Sequence, residues 1–257
     1  MKSFDELALA YDNSIDWESR LNRELPFLQM YMNEFKADRV LDMACGSGRH
    51  AVALGSLGFH VVGFDHSEGM IDAARKHAKN AGVMVEFHIS DMQGFSFKVD
   101  GPFDVVLCLG NSLALLPSFE ALQDVIEAVY EVLSPSGSFI FQVLNFEEIL
   151  ISGFRFFPIK GGKTSVGEDV VFSRFYEHSD RSWSTLVATS FVKKGRDWET
   201  AISTQRALHT NLNALKNILT KTGFENLEFF SDYHKNEFEP KKSRNLVVSA
   251  RRKQGNE

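Results

Sequence analysis

Cysteine, proline and long apolar segments are scarce in this chain. Its 257 residues include six prolines and two cysteines, Cys45 and Cys108. Two cysteines are too few for a disulfide framework, so we expect buried thiols in a reducing compartment. No apolar run approaches the roughly 20 residues that span a bilayer, and the acidic N-terminus lacks the apolar segment of a signal peptide. These absences predict a cytoplasmic protein that does not bind a membrane.

Basic residues are outnumbered as well. Lysine and arginine total 28 against 34 aspartates and glutamates, which gives a net charge of −6 at pH 7. A negative chain is not drawn to nucleic acid at long range, so we expect no nucleic-acid partner. The eight histidines lie on separate predicted elements, and no CxxC or HxxxH spacing occurs. We therefore predict no metal site.

The first half of the chain alternates short apolar strands with amphipathic helices. The strands are predicted at residues 40–43, 60–64, 84–89, 103–109 and 138–144. The helices between them are predicted at residues 50–57, 67–82 and 119–133. Continuous apolar runs are typical of strands that are buried on both faces. The alternation therefore predicts right-handed βαβ units and a parallel sheet.

The pattern changes after about residue 146. Three segments rich in β-branched and aromatic residues follow one another across polar turns, at residues 170–177, 183–193 and 198–208. They predict an antiparallel meander. A helix at 211–222 and two closing strands at 224–232 and 245–251 complete the chain. We expect one α/β domain, formed by 1–145 and 210–257, with an antiparallel β insert at 146–209 that acts as a substrate lid.

The most informative local motif is VLDMACGSGRH, residues 40–50. A strand runs into a glycine-bearing turn and then into a helix. This arrangement lets a ligand approach the backbone at Gly46 and Gly48, near the positive end of a helix. The spacing Gly46-x-Gly48-x-x-Ala51 also fits the dinucleotide pattern. By itself, the turn does not distinguish one nucleotide-containing cofactor from another.

Three acidic residues lie at the carboxyl ends of three successive predicted strands. Asp42, Asp65 and Asp91 are expected at the carboxyl edge of the sheet, where open α/β sheets bind their ligands. A carboxylate at Asp65 can accept the hydroxyls of a ribose. Asp91 can accept from the amine of an adenine while Met92 packs on its face. Asp42 stands where a nicotinamide site usually has an apolar residue.

With FDVVLCLGNS at 103–112, these motifs resemble the class I S-adenosylmethionine-dependent methyltransferases over residues 37–145, and the likeness resumes over 211–252. The resemblance implies a Rossmann-like, seven-stranded, mostly parallel sheet with helices on both faces, and S-adenosylmethionine as cofactor. It also implies a set of cofactor-binding residues: Asp42, Ala44, Gly46 and Gly48 for the methionine part, Asp65, His66 and Met70 for the ribose, Asp91 and Met92 for the adenine, and the backbone around Leu109 for the amino-acid tail.

Two further stretches resemble one branch of that family. CLGNSLALLP at 108–117 and YDNSIDWESR at 11–20 are similar to glycine and sarcosine N-methyltransferases. This likeness implies that Tyr11, Trp17 and Arg20 cover the cofactor, with Arg20 paired to its carboxylate. GNSL differs from the (N/D)PP(Y/F) motif of enzymes that methylate polymers. The insert carries no motif of the family, so glycine itself is not implied as the acceptor.

We therefore expect an enzyme that transfers a methyl group to a small molecule, at an amine nitrogen, by in-line displacement. A neutral amine needs no strong base, whereas a hydroxyl acceptor would need one, with Tyr176 or His178 as candidates. Alternatives are an NAD(P)-dependent oxidoreductase, a methyltransferase of RNA or protein, and a binding module without activity. An oxidoreductase would fit the glycine turn and Asp65, but no second βαβ half follows Leu144.

Overall fold

The computed structural model describes residues 12, 14–164, 167–178 and 180–254. The helices in these ranges are α1 (Trp17–Glu34), α2 (Arg49–Ser56), α3 (Glu68–Ala81), α4 (Phe119–Val132), α5 (Phe146–Ser152) and α6 (Leu212–Thr222). The strands are β1 (Arg39–Met43), β2 (His60–Asp65), β3 (Glu86–Ile89), β4 (Phe103–Cys108), β5 (Leu133–Leu144), β6 (Lys160–Lys163), β7 (Asp169–Glu177), β8 (Trp183–Lys194), β9 (Asp197–Leu208), β10 (Phe224–Phe230) and β11 (Asn245–Arg252).

Seven strands form the main sheet, in the order β10-β11-β5-β4-β1-β2-β3. The strands from β3 to β5 pair in parallel, whereas β11 is antiparallel to both β5 and β10. This arrangement confirms the predicted mostly parallel sheet, and the two predicted closing strands form its antiparallel edge. The fifth strand begins earlier than predicted, at Leu133, because that residue already pairs with Phe103 before the register shifts.

Helices cover both faces of this sheet, as predicted. Alternate residues of β1 show the arrangement, since Val40 packs with α1, α2 and α3, whereas Leu41 packs with α4 and α6. Strands that are buried on both faces explain the continuous apolar runs in the sequence. None of the helices in the described ranges is long and apolar enough to cross a membrane.

Helix α1 was not predicted, although its pattern was present in the sequence. Phe27, Leu28, Tyr31 and Met32 recur at helical spacing and are all buried. Asp16 caps the helix, since its side chain accepts a hydrogen bond from the backbone N–H of Ser19. The helix matters for function because it brings the N-terminal part of the chain onto the sheet beside β4.

The insert forms a second sheet between β5 and α6. Its four strands are all antiparallel and lie in the order β6-β7-β8-β9, which confirms the predicted meander. Strand β6 was missed because KGGK contains no residue that favours strands. It is held by backbone pairing to β7. The short helix α5 was also missed. It begins after the capping residue Asn145 and ends at Gly153.

Candidate functional site

The turn between β1 and α2 holds three residues in left-handed backbone conformations. Ala44, Gly46 and Gly48 have φ angles of 51°, 55° and 71°. A side chain at Gly46 would have no atom within 4 Å of its Cβ, whereas one at Gly48 would lie 2.7 Å from Ala74 Cβ. Gly46 therefore leaves room for a ligand beside the backbone. Gly48 instead lets α2 pack closely on α3.

Asp65 closes this turn from the end of β2. Its side chain is buried, and Oδ2 accepts from the Gly46 N–H at 2.9 Å while Oδ1 accepts from the Ser67 N–H at 3.0 Å. Exposed His66 lies against the same carboxylate, with Nδ1 3.3 Å from Oδ1. A carboxylate oxygen has two lone pairs, so Asp65 can accept further hydrogen bonds from a ligand. Met70 follows, half-buried in the first turn of α3.

Asp42 has a buried carboxylate with an oxygen that no group of the described residues satisfies. Oδ2 has no hydrogen-bond partner among the described residues, although the side chain is only 3% exposed. Burial raises the pKa of Asp42 to about 6, and the neighbouring charge of Asp65 adds to the effect. Buried polar groups normally have partners. The unpaired oxygen therefore points to a donor that a ligand supplies.

Arg20 reaches the end of β4 from α1. Its Nε donates to Glu24 Oε1 at 3.0 Å, its Cζ lies 4.8 Å from the Trp17 ring centroid, and its Nη2 lies 3.5 Å from where a Gly110 Cβ would be. Buried Glu24 also contacts His50, with Oε2 and Nε2 separated by 2.8 Å. Burial opposes the ionisation of Glu24, but the His50 hydrogen bond and the Arg20 charge outweigh it and lower its pKa.

The loop after β4 is fixed to β5. Gly110 and Asn111 both have positive φ angles, and the Gly110 N–H donates to Gln142 Oε1 at 3.2 Å. The Asn111 Oδ1 accepts from the Leu144 N–H at 2.7 Å. Leu109 is buried before this turn. The structure thus brings the predicted tail-binding backbone next to Arg20 and Trp17.

Asp91 lies apart from the buried acids. It is exposed two residues beyond the end of β3, and its Oδ1 accepts from the Gly94 N–H at 2.7 Å. Met92 packs against the core on the α4 side of the sheet. Asp91 Oδ1 therefore closes a turn at the rim.

The sequence analysis did not predict two residues near the site, Asp12 before α1 and Glu24 within it. Asp12 accepts from Ser47 Oγ at 2.6 Å, which ties the segment before α1 to the glycine turn. Glu24 could have been suspected, because it lies four residues after Arg20 and suits a helical ion pair. Tyr11, predicted to cover the cofactor, lies outside the described residues.

Tyr176 of the insert lies beside the loop after β4. It is buried between the rings of Phe146 and Phe157, and its hydroxyl is near the Asn111 side chain. Burial raises the pKa of Tyr176 to about 12. The hydroxyl therefore stays protonated at neutral pH and is a weak general base.

A hydrogen-bonded chain crosses the insert between two backbone carbonyls. His178 Nε2 lies 2.8 Å from the Phe154 oxygen, and its Nδ1 lies 2.7 Å from Ser184 Oγ. Ser184 Oγ lies 2.7 Å from His209 Nε2, and His209 Nδ1 lies 3.0 Å from the Arg181 oxygen. Both nitrogens of His178 are engaged in this chain. A role as general base would require it to break one of these contacts.

The insert also brings two cations towards Arg20. Lys160 begins β6, and Arg174 lies on β7 with its Cζ 4.7 Å from the Phe157 centroid. Burial lowers the pKa of Lys160, and the charges of Arg174 and Arg20 lower it further. The three cations therefore share one region at the carboxyl edge of the sheet.

Comparisons with known proteins identify the family. The methyltransferase domain family matches residues 40–137, from β1 into β5. The glycine/sarcosine N-methyltransferase of Parasynechococcus marenigrum is 28% identical over 88% of this chain and 76% of its own length. The matched domain and these relatives support a class I S-adenosylmethionine-dependent methyltransferase. They favour this activity over that of a nicotinamide-dependent oxidoreductase.

Further relatives agree with the assignment of the methyltransferase fold. A glycine/sarcosine N-methyltransferase of Halorhodospira halochloris is 31% identical, but the match covers 56% of this chain and 54% of that protein. The chain thus spans about half the length of that relative. A solved S-adenosylmethionine-dependent methyltransferase of Clostridium acetobutylicum has a TM-score of 0.79 at 18% identity, over 98% of this chain and 99% of that one.

The described residues of this methyltransferase fit its cofactor. The amino-acid end of S-adenosylmethionine carries an ammonium group and a carboxylate. Asp42 offers an unpaired acceptor for the ammonium group, and Arg20 places a cation at the end of β4 for the carboxylate. Between them, Gly46 leaves open space beside the backbone. The donor and acceptor chemistry at this edge is therefore complementary to that end of the cofactor.

Proposed function

We propose that this methyltransferase acts on a small-molecule amine that carries an anionic group. The observation that supports the proposal is the approach of Lys160 and Arg174 of the insert to Arg20. Positive charges that share one region attract an anion, and partial burial strengthens that attraction. A carboxylate or a similar group on the acceptor would be such an anion. The glycine/sarcosine N-methyltransferases among the relatives are in keeping with an acceptor of this class.

We assign the cofactor-binding roles residue by residue. Arg20, Asp42 and the Gly46 backbone hold the amino-acid end, with Trp17, Ala44 and Leu109 beside it. Asp65, His66 and Met70 hold the ribose, and Asp91 and Met92 hold the adenine at the rim. When bound, the cofactor supplies a methyl group made electrophilic by a positively charged sulfur. Gly48 serves the packing of the turn, because its Cβ position is filled by Ala74 and Phe87.

The chain itself then has to position the acceptor and exclude water. Holding two reactants at attack distance supplies a large part of the rate enhancement in such displacements. A neutral amine needs no strong base, and this agrees with the state of the two candidate bases. Burial keeps Tyr176 protonated, and His178 is engaged at both nitrogens. Strands β6 to β9 would act as the lid.

The proposal is tested by measuring product formation with glycine, sarcosine and their carboxamide forms. We expect turnover with the acids and at least tenfold lower kcat/KM with the carboxamides, because a charge-assisted hydrogen bond is lost. Equal kcat/KM for acid and carboxamide would contradict an anionic acceptor. Methylation of neither compound, with S-adenosylmethionine bound, would point to another acceptor class.

Two variants test whether the insert binds the anionic group of the acceptor. Arg174→Gln should raise KM for the acidic amine about tenfold and leave the Kd of S-adenosylmethionine unchanged. Arg206→Gln is the matched control, because Arg206 lies on the opposite face of the same sheet, stacked on Trp183. It should change neither constant. An equal rise in KM for both variants would show a general loss of positive charge instead of a specific contact.

A further inference from the structure

Tyr233 lies in the loop between β10 and β11, at the carboxyl edge of the main sheet. Its ring packs edge-on against Phe27 of α1, with centroids 5.5 Å apart. Phe27 also contacts Phe230 at the end of β10, with centroids 5.9 Å apart. Phe27 therefore packs against both aromatic rings, and this packing holds the Tyr233 ring against α1, the helix that carries Arg20.

The hydroxyl of Tyr233 is buried and has no hydrogen-bond partner among the described residues. Buried tyrosine hydroxyls usually find a partner, because the desolvated O–H is otherwise costly. Burial raises the pKa of Tyr233 far above its usual value, and the charge of Glu24 adds to the effect. The hydroxyl therefore remains a hydrogen-bond donor throughout the physiological pH range.

The surroundings of this hydroxyl place it beside the cofactor site. The charged groups that act on it are Glu24, Arg20 and Arg23 of α1, and the neutral Cys108 side chain at the end of β4 also lies near it. Arg20 in turn reaches the Gly110 backbone, just beyond the same strand. A neutral donor and a guanidinium thus converge on one region. This pair of groups is suited to a carboxylate.

Asp42 provides the complementary observation. Within the described part of the chain, both Asp42 Oδ2 and the Tyr233 hydroxyl are buried without partners, and both lie in the electrostatic field of Arg20. One atom lacks a donor, and the other can supply one. A ligand with an ammonium group and a carboxylate would satisfy both together. The amino-acid end of S-adenosylmethionine has this chemistry.

We propose that Tyr233 is a further cofactor-binding residue, which donates a hydrogen bond to the carboxylate of S-adenosylmethionine alongside Arg20. The inference rests on the proposed cofactor-binding roles and adds to them a residue from the β10–β11 loop. It also explains why the loop keeps a tyrosine where a phenylalanine would satisfy the packing against Phe27 equally well.

The test is the variant Tyr233→Phe, with binding measured for S-adenosylmethionine and for 5′-methylthioadenosine, which lacks the amino-acid end. The Kd of S-adenosylmethionine should rise about tenfold, because a hydrogen bond to a charged group is lost. The Kd of 5′-methylthioadenosine should stay unchanged. Without ligand, the Tm of the variant should rise by about 2 °C, because an unsatisfied buried hydroxyl is removed.

Tyr130→Phe is the matched control, because Tyr130 packs on Phe224 and its hydroxyl lies by Gly223, on the α4 side of the sheet. It should leave both dissociation constants unchanged. The inference is overturned if Tyr233→Phe binds S-adenosylmethionine as tightly as the wild type, or weakens both ligands equally. If the wild-type protein binds neither ligand, the assigned cofactor site fails first and the inference fails with it.

Discussion

Two sets of buried polar groups, one in each sheet, are bonded in opposite ways. At the carboxyl edge of the main sheet, Asp42 Oδ2 and the Tyr233 hydroxyl are buried without partners among the described residues. In the insert, His178, Ser184 and His209 are joined into one chain of short contacts. An unsatisfied buried group costs about 1–3 kcal/mol, and a ligand that completes the bonding removes that cost. The comparison separates a site built for binding from a network built for stability.

The glycine turn offers the largest effect and a comparison between neighbours. Gly48→Ala should lower the free energy of unfolding by about 4 kcal/mol, through left-handed strain and the contacts with Ala74 and Phe87. Gly46→Ala should cost about 1 kcal/mol, from backbone strain alone. It should nevertheless abolish binding of S-adenosylmethionine, because the added methyl group occupies the open space beside the backbone.

Urea unfolding and calorimetric binding, measured on both variants, check this prediction. Similar losses of stability would show that the two glycines have the same role. Intact cofactor binding in Gly46→Ala would remove the assignment of that backbone to the ligand.

Asp42 gives the next largest effect, and it depends on pH. Because folding raises its pKa from 3.8 to about 6, the folded state binds the proton more tightly than the unfolded state. The stabilising effect of that proton is complete below pH 4 and is lost as the pH rises through 6. Asp42→Asn should therefore gain stability relative to the wild type between these limits, by about 3 kcal/mol at pH 8.

Denaturant titrations of both proteins at pH 4, 5, 6 and 8 follow this difference, which cancels the contributions of other carboxylates. The same variant should bind S-adenosylmethionine more weakly, because an amide is a poorer partner for an ammonium group. A constant difference in stability across the pH series would show that the Asp42 carboxyl titrates alike in both states.

The smallest expected effect comes from two serines on one face of β8. Ser184→Ala should lower stability by about 2 kcal/mol, because it leaves His178 and His209 each with an unpaired nitrogen. Ser190→Ala should be neutral or slightly stabilising, because its buried Oγ has no partner among the described residues. Thermal unfolding of both variants measures this difference in stability. Equal losses would show that the chain of contacts adds nothing beyond packing.

Most of the fold and part of the candidate site could be predicted from local sequence patterns. The acids Asp42 and Asp65 lie at the carboxyl ends of strands and the turn at Gly46 follows a strand, so their place at the carboxyl edge could be predicted. That Asp42 Oδ2 lacks a partner among the described residues could not be predicted, because the burial and bonding of this atom depend on elements that are distant in the chain. Glu24 was not predicted as a site residue because α1 itself was not predicted.

The roles of Tyr233 in the β10–β11 loop and of the two glycines could not be predicted for a different reason. Tyr233 reaches the site through Phe27, more than two hundred residues earlier in the chain. No local spacing relates two such positions. The separate roles of Gly46 and Gly48 likewise depend on whether Ala74 and Phe87 fill the space behind each one.

The chain through His178, Ser184 and His209 also has a consequence for where its hydrogens lie. Each of its four contacts needs one hydrogen, whereas two neutral imidazoles and one hydroxyl supply three. The chain is complete only with one extra proton. Burial lowers the pKa of His209, which disfavours that proton on its ring. With neutral imidazoles, the single hydrogen of the Ser184 hydroxyl therefore serves one of the two histidines at a time, and the direction of this one O–H decides which ring is bonded.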